Sequence, residues 1–168
     1  MARIPYVESE NAHWLTREIL ARRNNRNIHR MLGHSGPLAD AFVRLATTLR
    51  YESELDPALR EIAILRVGVL SGATYEVTAH RVHARAAGLS ERQIAAVEAG
   101  EADALTPLQQ GVMRFTDDVV ANVRARDATF LPLQAALEPR SLVELVVAIG
   151  FYMAACRFLE TFDIDVHA

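Results

Sequence analysis

The sequence contains no lysine, so all 18 of its basic side chains are arginines. This absence excludes catalysis through a lysine Schiff base, lysine-linked pyridoxal phosphate and the phosphate-binding lysine of a P-loop. The chain also contains one cysteine, Cys156. A single cysteine excludes a disulfide framework within the chain and a redox cycle between two cysteines of the same chain.

An excess of positive charge and a long apolar segment are missing as well. The net charge is −3, so the chain lacks the electrostatic attraction that non-specific nucleic-acid binding depends on. The first twenty residues include five charged side chains, which leaves no room for the apolar region of a signal peptide. The longest apolar run, 145–156, is shorter than the ~20 residues that cross a bilayer. These features predict a soluble, cytoplasmic protein without nucleic-acid or membrane partners.

Helix-capping patterns recur along the chain, whereas the strict alternation typical of a half-buried strand does not occur. Asp56 precedes a proline and a largely apolar segment, the pattern of an N-cap followed by a first-turn proline. Three further segments match the S/T-x-x-E/Q capping box. The matching pairs are Ser90 with Gln93, Thr106 with Gln109, and Ser141 with Glu144. We therefore predict one all-α domain over residues 1–168, with an N-terminal helical arm over 1–50 and a helical core over 55–160.

Apolar spacing predicts helices over 10–22, 37–50, 59–70, 73–88, 90–100, 106–124 and 142–158. Two of them, 59–70 and 142–158, are apolar on nearly every side and must be covered on more than one face. A fully buried central helix in a monomer would provide this cover. We favour the alternative, in which part of this surface faces another subunit of a homo-oligomer.

Acidic and histidine side chains that suit proton transfer are concentrated between residues 61 and 83. Glu61 stands among apolar residues, and desolvation is expected to raise its pKa towards neutrality. The next helix carries Glu76, His80 and His83 at i, i+4 and i+7, on one face. The short connection at Ser71-Gly72 predicts an antiparallel helix hairpin, which would bring Glu61 to this face.

Each of these residues also has a structural interpretation. A Glu–His pair at i, i+4 is common on exposed helices, where it contributes about 0.2–0.5 kcal/mol. Glu61 would be favoured in the first turn of a helix even as a solvated residue. Glu76, His80 and His83, with Glu61 as a fourth ligand, would also form a metal site. Zinc sites usually take ligands from separate elements, however, and the HExxH spacing is absent, so we predict no metal.

The pattern E-x11-A-x-Y-E-x3-H-x7-G resembles the core of the carboxymuconolactone decarboxylase family, whose superfamily includes the AhpD-type alkylhydroperoxidases. Its residues here are Glu61, Ala73, Tyr75, Glu76, His80 and Gly88. The resemblance extends from residue 55 to the C-terminal helix and, more loosely, over the N-terminal arm. It implies an AhpD-like all-α fold with a central helix hairpin. It also implies a homo-oligomer, commonly a trimer or a hexamer.

The two branches of this superfamily differ at two positions. The peroxidase branch has a CxxC pair, and its cysteines correspond to Ala73 and Glu76 in this chain. Peroxide reduction requires a thiolate and a resolving thiol, which alanine and glutamate do not supply. The Y-E-x3-H form instead resembles the decarboxylase branch, which uses no metal or organic cofactor. The resemblance therefore implies that this chain needs no cofactor.

These observations favour a cofactor-independent lyase or isomerase that acts on a small anionic lactone or enolisable acid. His80 is the expected proton donor and Glu76 its orienting partner. Glu61 is expected to act as a second acid or base, and Tyr75 to donate a hydrogen bond to the lactone oxygen. An arginine should hold the substrate carboxylate, and the sequence does not decide which one.

Two other functions are compatible with the resemblance. An AhpD-like alkylhydroperoxidase or related redox protein would require Cys156 to be exposed, activated and paired across subunits, whereas its apolar surroundings favour an inert core thiol. A non-catalytic ligand-binding oligomer would tolerate replacement of Glu61, Glu76 and His80 together. For the anionic substrate of the favoured lyase, Arg66 and Arg30 are the candidate binding residues.

Overall fold

A computed structural model describes residues 2–166, which contain nine α-helices, one short 3-10 helix at Ser9–Asn11 and no β-strand. This arrangement confirms the all-α prediction. The helices are α1 Trp14–Arg22, α2 Asn27–Leu32, α3 Gly36–Tyr51, α4 Pro57–Leu70, α5 Thr74–Ala86, α6 Glu91–Ala99, α7 Pro107–Asn122, α8 Asp127–Ala136 and α9 Pro139–Thr161.

The described chain divides into two compact units. The first comprises residues 2–52 and 158–166, and the second comprises Ser53–Arg157. The boundary at residue 52 falls close to the predicted junction between the arm and the core, while the last residues join the first unit rather than the second. The single domain over 1–168 stays a prediction.

In the first unit, the N-terminal segment binds the residues that follow α9. The Arg3 backbone N–H donates to the Phe162 carbonyl oxygen at 3.0 Å. The Tyr6 hydroxyl lies 3.3 Å from a carboxylate oxygen of Asp165 and accepts from the Asp165 backbone N–H at 3.1 Å. The Asn27 side-chain amide donates to the Asp165 carbonyl oxygen at 3.2 Å. These bonds explain why the C-terminal residues belong to this unit.

In the second unit, α4 and α5 form the predicted antiparallel hairpin around a turn of three residues. Gly72 occupies this turn with φ +66°, a left-handed conformation that glycine adopts without steric cost. The helices approach closely at Gly68, where an added Cβ would lie 3.1 Å from the Val77 side chain. Small residues near the turn therefore let the two helices pack tightly enough for side chains to meet between them.

The caps of the second unit agree with the sequence patterns at three of four positions. The Asp56 carboxylate accepts from the Ala58 and Leu59 N–H groups at 2.9 and 3.1 Å, and capping boxes begin at Ser90 and Thr106. The predicted capping box at Ser141 is wrong, because α9 begins at Pro139 and encloses it.

Glu144, assigned to that capping box, instead stabilises the approach to α4. Its carboxylate accepts from the Ser53 hydroxyl at 2.8 Å. It also accepts from the backbone N–H groups of Glu54 and Leu55 at 2.8 and 2.9 Å. A residue of α9 thus fixes the segment that leads into the α4–α5 hairpin, a long-range contact that a local S-x-x-E pattern cannot reveal.

Helix α9 is longer than predicted and is, within the described residues, the one helix long and apolar enough to cross a membrane. Its most apolar 18-residue window has a mean hydropathy of 1.9, and 50% of that window is buried inside the protein. Core helices of soluble proteins share this pattern, because one face contributes to a core. The buried face includes Leu145, Ile149, Tyr152 and Cys156.

Two helices were not predicted from the sequence. Helix α2 has six residues, and α8 contains an internal proline, Pro132, so neither shows a long regular apolar pattern. The buried Asp118 carboxylate of α7 connects α7 to α8. It accepts from the Arg126 backbone N–H and the Thr129 hydroxyl, each at 2.6 Å, and from the Asn122 amide at 2.8 Å.

We expect Asp118→Asn to lower the melting temperature, because the amide cannot accept from all of these donors. Hydrogen bonds from Thr129 and Arg126 lower the pKa of Asp118 from 3.8 to about 2. Its stabilising effect is therefore present above pH 3.8 and is lost as the pH falls through about 2. Thermal unfolding should show a difference from the wild type that shrinks as the pH falls from 3.8 towards about 2. The exposed Asp103→Asn is the control, and a difference that persists undiminished to pH 2 would contradict the assignment.

Candidate active site

Glu61 lies in the second turn of α4. The Asp56 cap and the first-turn proline start this helix. Only 1% of the Glu61 surface is exposed, which excludes the solvated first-turn interpretation. The neighbouring residues of α4 that share this burial are apolar, among them Ile62, Ala63, Ile64 and Leu65. A carboxylate in such surroundings requires a specific partner, because an unpaired buried charge costs several kcal/mol.

His80 of α5 is that partner, and its imidazole lies between two carboxylates. Its Nδ1 is 2.7 Å from Oε2 of Glu61, and its Nε2 is 3.2 Å from Oε2 of Glu76. His80 and Glu76 are exposed by only 5% and 6%. The hairpin thus brings together the three residues as predicted. An imidazolium, which carries a proton on each ring nitrogen, is the form of histidine that suits a carboxylate on either side.

The pKa values of His80 and Glu61 move in the directions that favour opposite charges on the two groups. Burial alone would lower the pKa of His80, but hydrogen bonds and charge from Glu61 and Glu76 raise it above 6.5. Burial alone would raise the pKa of Glu61, as predicted from the sequence, yet His80 and Arg60 lower it below 4.5. The prediction of a raised Glu61 pKa is therefore wrong, because it considered desolvation without the cationic partners.

Two further rings lie beside His80. The Tyr152 ring of α9 stands nearly perpendicular to the imidazole, with centroids 4.9 Å apart, and the His83 ring lies 5.2 Å away. Tyr152 was missed from the sequence because it lies 72 residues further along the chain, although it belongs to the buried stripe of α9. Tyr75 is also buried, and its role towards a lactone oxygen stays a prediction.

The arginines are distributed differently from the expectation. The Arg66 guanidinium binds Asp117 at 2.5 Å and the Val97 carbonyl oxygen at 3.1 Å. Arg30 and Glu8 both belong to the first unit, where they form an ion pair with each other. The arginine next to the triad is Arg60, whose Nε lies 3.5 Å from Oε1 of Glu61. Its position directly before Glu61 on a largely apolar helix is the signal that would have identified it.

Neither metal ligation nor thiol chemistry gains geometric support from the described residues. Within residues 2–166, no group of three or more His, Cys, Asp or Glu side chains is arranged to hold a metal ion. His80 belongs to the set of residues considered as metal ligands, but both of its ring nitrogens face carboxylates. Cys156 is fully buried, with an exposed fraction of 0%. This burial agrees with the core position expected for it and differs from the exposure that a reactive thiol requires.

Comparison with known proteins finds one family whose sequence model matches the region of this site. The sequence model of the carboxymuconolactone decarboxylase family matches residues 36–118, which include the hairpin and its triad. No functionally curated protein has a matching sequence. Solved structures do resemble the chain in fold, and three of them have TM-scores between 0.75 and 0.85.

One similar structure is that of an uncharacterized peroxidase-related protein from Ralstonia eutropha JMP134, described as an alkylhydroperoxidase AhpD core. Its TM-score is 0.85 at 18% sequence identity, and the alignment covers 99% of this chain and 92% of that one. A peroxidase-related protein from Silicibacter sp. TM1040, also uncharacterized, has a TM-score of 0.79 and 15% identity, over 91% and 83%. A protein of unknown function from Agrobacterium tumefaciens, suggested to be an antioxidant defence protein AhpD, has a TM-score of 0.75 and 23% identity, over 82% and 95%.

The structural likeness defines the fold, which is AhpD-like and all-helical. The match over residues 36–118 supports membership of the carboxymuconolactone decarboxylase family. The chain has Ala73 and Glu76 at the two positions where the resemblance places the cysteines of the peroxidase branch.

We expect Glu61→Gln to lower the free energy of unfolding by about 3 kcal/mol, because it leaves the buried His80 with one ionic partner. The sign of the pH dependence follows from the two pKa shifts. The contribution of Glu61 is present above pH 4.5 and is lost as the pH falls through its lowered pKa. That of His80 is present below pH 6.5 and is lost as the pH rises through its raised pKa.

The destabilisation should therefore be largest between pH 4.5 and 6.5 and should diminish at alkaline pH. Urea unfolding at several pH values measures it. Glu98→Gln, which breaks the more exposed Arg81–Glu98 pair, is the control and should cost at most about 1 kcal/mol. A Glu61→Gln effect that is independent of pH, or no larger than the control, would show that the ionic pairing is absent.

Proposed function

We propose that this protein is a cofactor-independent acid–base enzyme that decarboxylates or isomerises a small anionic lactone or a related enolisable acid. The observation that carries the proposal is the placement of His80 between Glu61 and Glu76, at 2.7 and 3.2 Å. A histidine in this setting is held as an imidazolium and therefore has a proton to deliver. The match of residues 36–118 to the carboxymuconolactone decarboxylase family supports the same reaction class.

In the proposed reaction, the bond between a substrate carbon and its carboxylate breaks, and carbon dioxide leaves. The electron pair remains on the substrate, delocalised into the unsaturated lactone. The imidazolium of His80 then donates its proton to carbon, which forms the new C–H bond. A proton from solvent returns to His80, so that the overall reaction consumes one proton. A positioned general acid contributes about 10²–10⁴-fold to such a step.

The two carboxylates are proposed to have different roles. The shorter contact, between Glu61 and Nδ1, supports Glu61 as the residue that orients the ring, a role expected of Glu76 from the sequence. The longer contact, between Glu76 and Nε2, supports Nε2 as the nitrogen that faces the substrate. The Glu76 and His80 side chains retain 7% and 6% exposure, which favours a small substrate.

The AhpD-like peroxidase function remains the second candidate, because the similar solved structures are described as peroxidase-related. That function would depend on Cys156, the one thiol of the chain. Thiol titration of the native and the unfolded protein distinguishes the two proposals. Rapid modification of the native thiol would favour the redox function, whereas modification only after unfolding would favour the acid–base function.

We expect His80→Ala and Glu76→Gln each to lower kcat by at least about 100-fold on a substrate that the protein converts. The first assay follows the ultraviolet absorbance of carboxymuconolactone. His83→Gln is the matched control on the same helix, and its turnover should stay close to that of the wild type. Wild-type turnover in both site variants would contradict the proposal and favour a non-catalytic, ligand-binding role. If the wild type leaves this lactone unchanged, it is not the substrate.

We also propose a soluble, cytoplasmic homo-oligomer, a trimer or a hexamer, in which the outer face of α9 contacts another copy. Val143, Val146 and Val147 on this face are exposed by 62%, 43% and 41%. At Gly150, an added Cβ would meet no atom within 4 Å, so the face is open there as well. Burial of such an apolar face is a common basis of subunit association.

We expect Val147→Glu to reduce the molar mass in solution, because it places a charge in the proposed interface. Light scattering coupled to size-exclusion chromatography measures this mass. Val123→Glu is the control, since Val123 is 94% exposed and lies beyond the end of α7. A monomeric wild type, or an unchanged mass for Val147→Glu, would contradict the proposed interface.

A further inference from the structure

Arg60 is a buried cation for which the structure provides little compensation. Its residue surface is 7% exposed, and its Nε has no hydrogen-bond partner among the described residues. The one ion pair found for it within residues 2–166 is the contact between Nε and Oε1 of Glu61, at 3.5 Å. Leaving a guanidinium N–H donor such as this Nε group unsatisfied in a protein interior is costly.

Glu61 is not a sufficient partner for Arg60. Its Oε2 accepts from His80 at 2.7 Å, so the main charge-assisted hydrogen bond of this carboxylate is directed to the imidazole. The contact with Arg60 is longer than a hydrogen bond and lacks its geometry. By contrast, Arg66 on the same helix has both a carboxylate and a carbonyl oxygen as hydrogen-bond acceptors.

We infer that Arg60 is the residue that binds the carboxylate of the substrate, beside the Glu61–His80–Glu76 triad. The inference rests on the proposed function and extends it by naming the group that selects the substrate class. A guanidinium binds a carboxylate through two parallel N–H···O hydrogen bonds, which supply the acceptors that Arg60 lacks. Its contact with Glu61, the partner of His80, places the bound carboxylate close to the proton donor.

Selectivity for a carboxylate follows from this arrangement. An uncharged ligand of the same shape would leave the buried guanidinium with only its long contact to Glu61, whereas a carboxylate would accept hydrogen bonds from it. A lysine at position 60 would preserve the charge but not the planar fork, so it is expected to recover only part of the affinity. Neither expectation depends on whether His80 transfers a proton.

The test uses the full chain, with 2-furoate as the carboxylate probe and 2-furamide as its uncharged counterpart, in titrations followed by nuclear magnetic resonance. The wild type should bind 2-furoate at least about tenfold more tightly than 2-furamide. Arg60→Met should remove this preference, and Arg60→Lys should weaken 2-furoate binding by at least about threefold. Arg66→Lys, the same exchange on the same helix, should leave the affinity for 2-furoate unchanged.

Each result decides the inference separately from the proposed reaction. If the wild type lacks the preference for 2-furoate, Arg60 is not the carboxylate-binding residue. The same conclusion follows if Arg60→Lys binds 2-furoate as tightly as the wild type. Should Arg60→Met fail to fold, Arg60→Lys alone decides. If the preference depends on Arg60 while no turnover depends on His80, the carboxylate site stands and the acid–base function fails.

Discussion

The structure of the site depends on one interaction, the hydrogen bond between Nδ1 of His80 and the Glu61 carboxylate at 2.7 Å. Each of these groups would be costly to bury alone, and each becomes tolerable because the other carries the opposite charge. The bond joins α4 to α5 across the hairpin and holds the imidazole in one orientation. Its two pKa shifts, downward for Glu61 and upward for His80, express the same electrostatic coupling.

The surrounding fold contributes by placing the two helices at the required separation. The Asp56 cap begins α4, Glu144 of α9 fixes the segment before it, and Gly72 permits the tight turn before α5. Close approach at Gly68 then brings the facing side chains of the hairpin together. Tyr152 completes the surroundings of the imidazole from α9. Residues distant in the chain therefore cooperate to hold one buried histidine between two carboxylates, which raise its pKa.

Local chemistry made much of this arrangement predictable from the sequence. The caps at Asp56, Ser90 and Thr106 and the i, i+4 spacing of Glu76 and His80 depend on near neighbours, and the structure agrees with them. Long-range contacts account for the failures. The pattern at Ser141 resembled a cap, but Glu144 binds residues about ninety positions earlier in the chain. The direction of the Glu61 pKa shift was mispredicted, because it depends on His80 and Arg60 and not on burial alone. The short α2 and the proline-containing α8 lack the periodicity that identifies a helix.

The central claim is that His80 is kept as an imidazolium by its two carboxylates. Nitrogen-15 magnetic resonance of the labelled histidine ring, recorded from acid to alkaline pH, measures this state directly. The account predicts protons on both Nδ1 and Nε2 at pH 7, with the loss of one proton at a pH above the ordinary histidine value of 6.5. A neutral ring at pH 7, with a proton on one nitrogen alone, would contradict it.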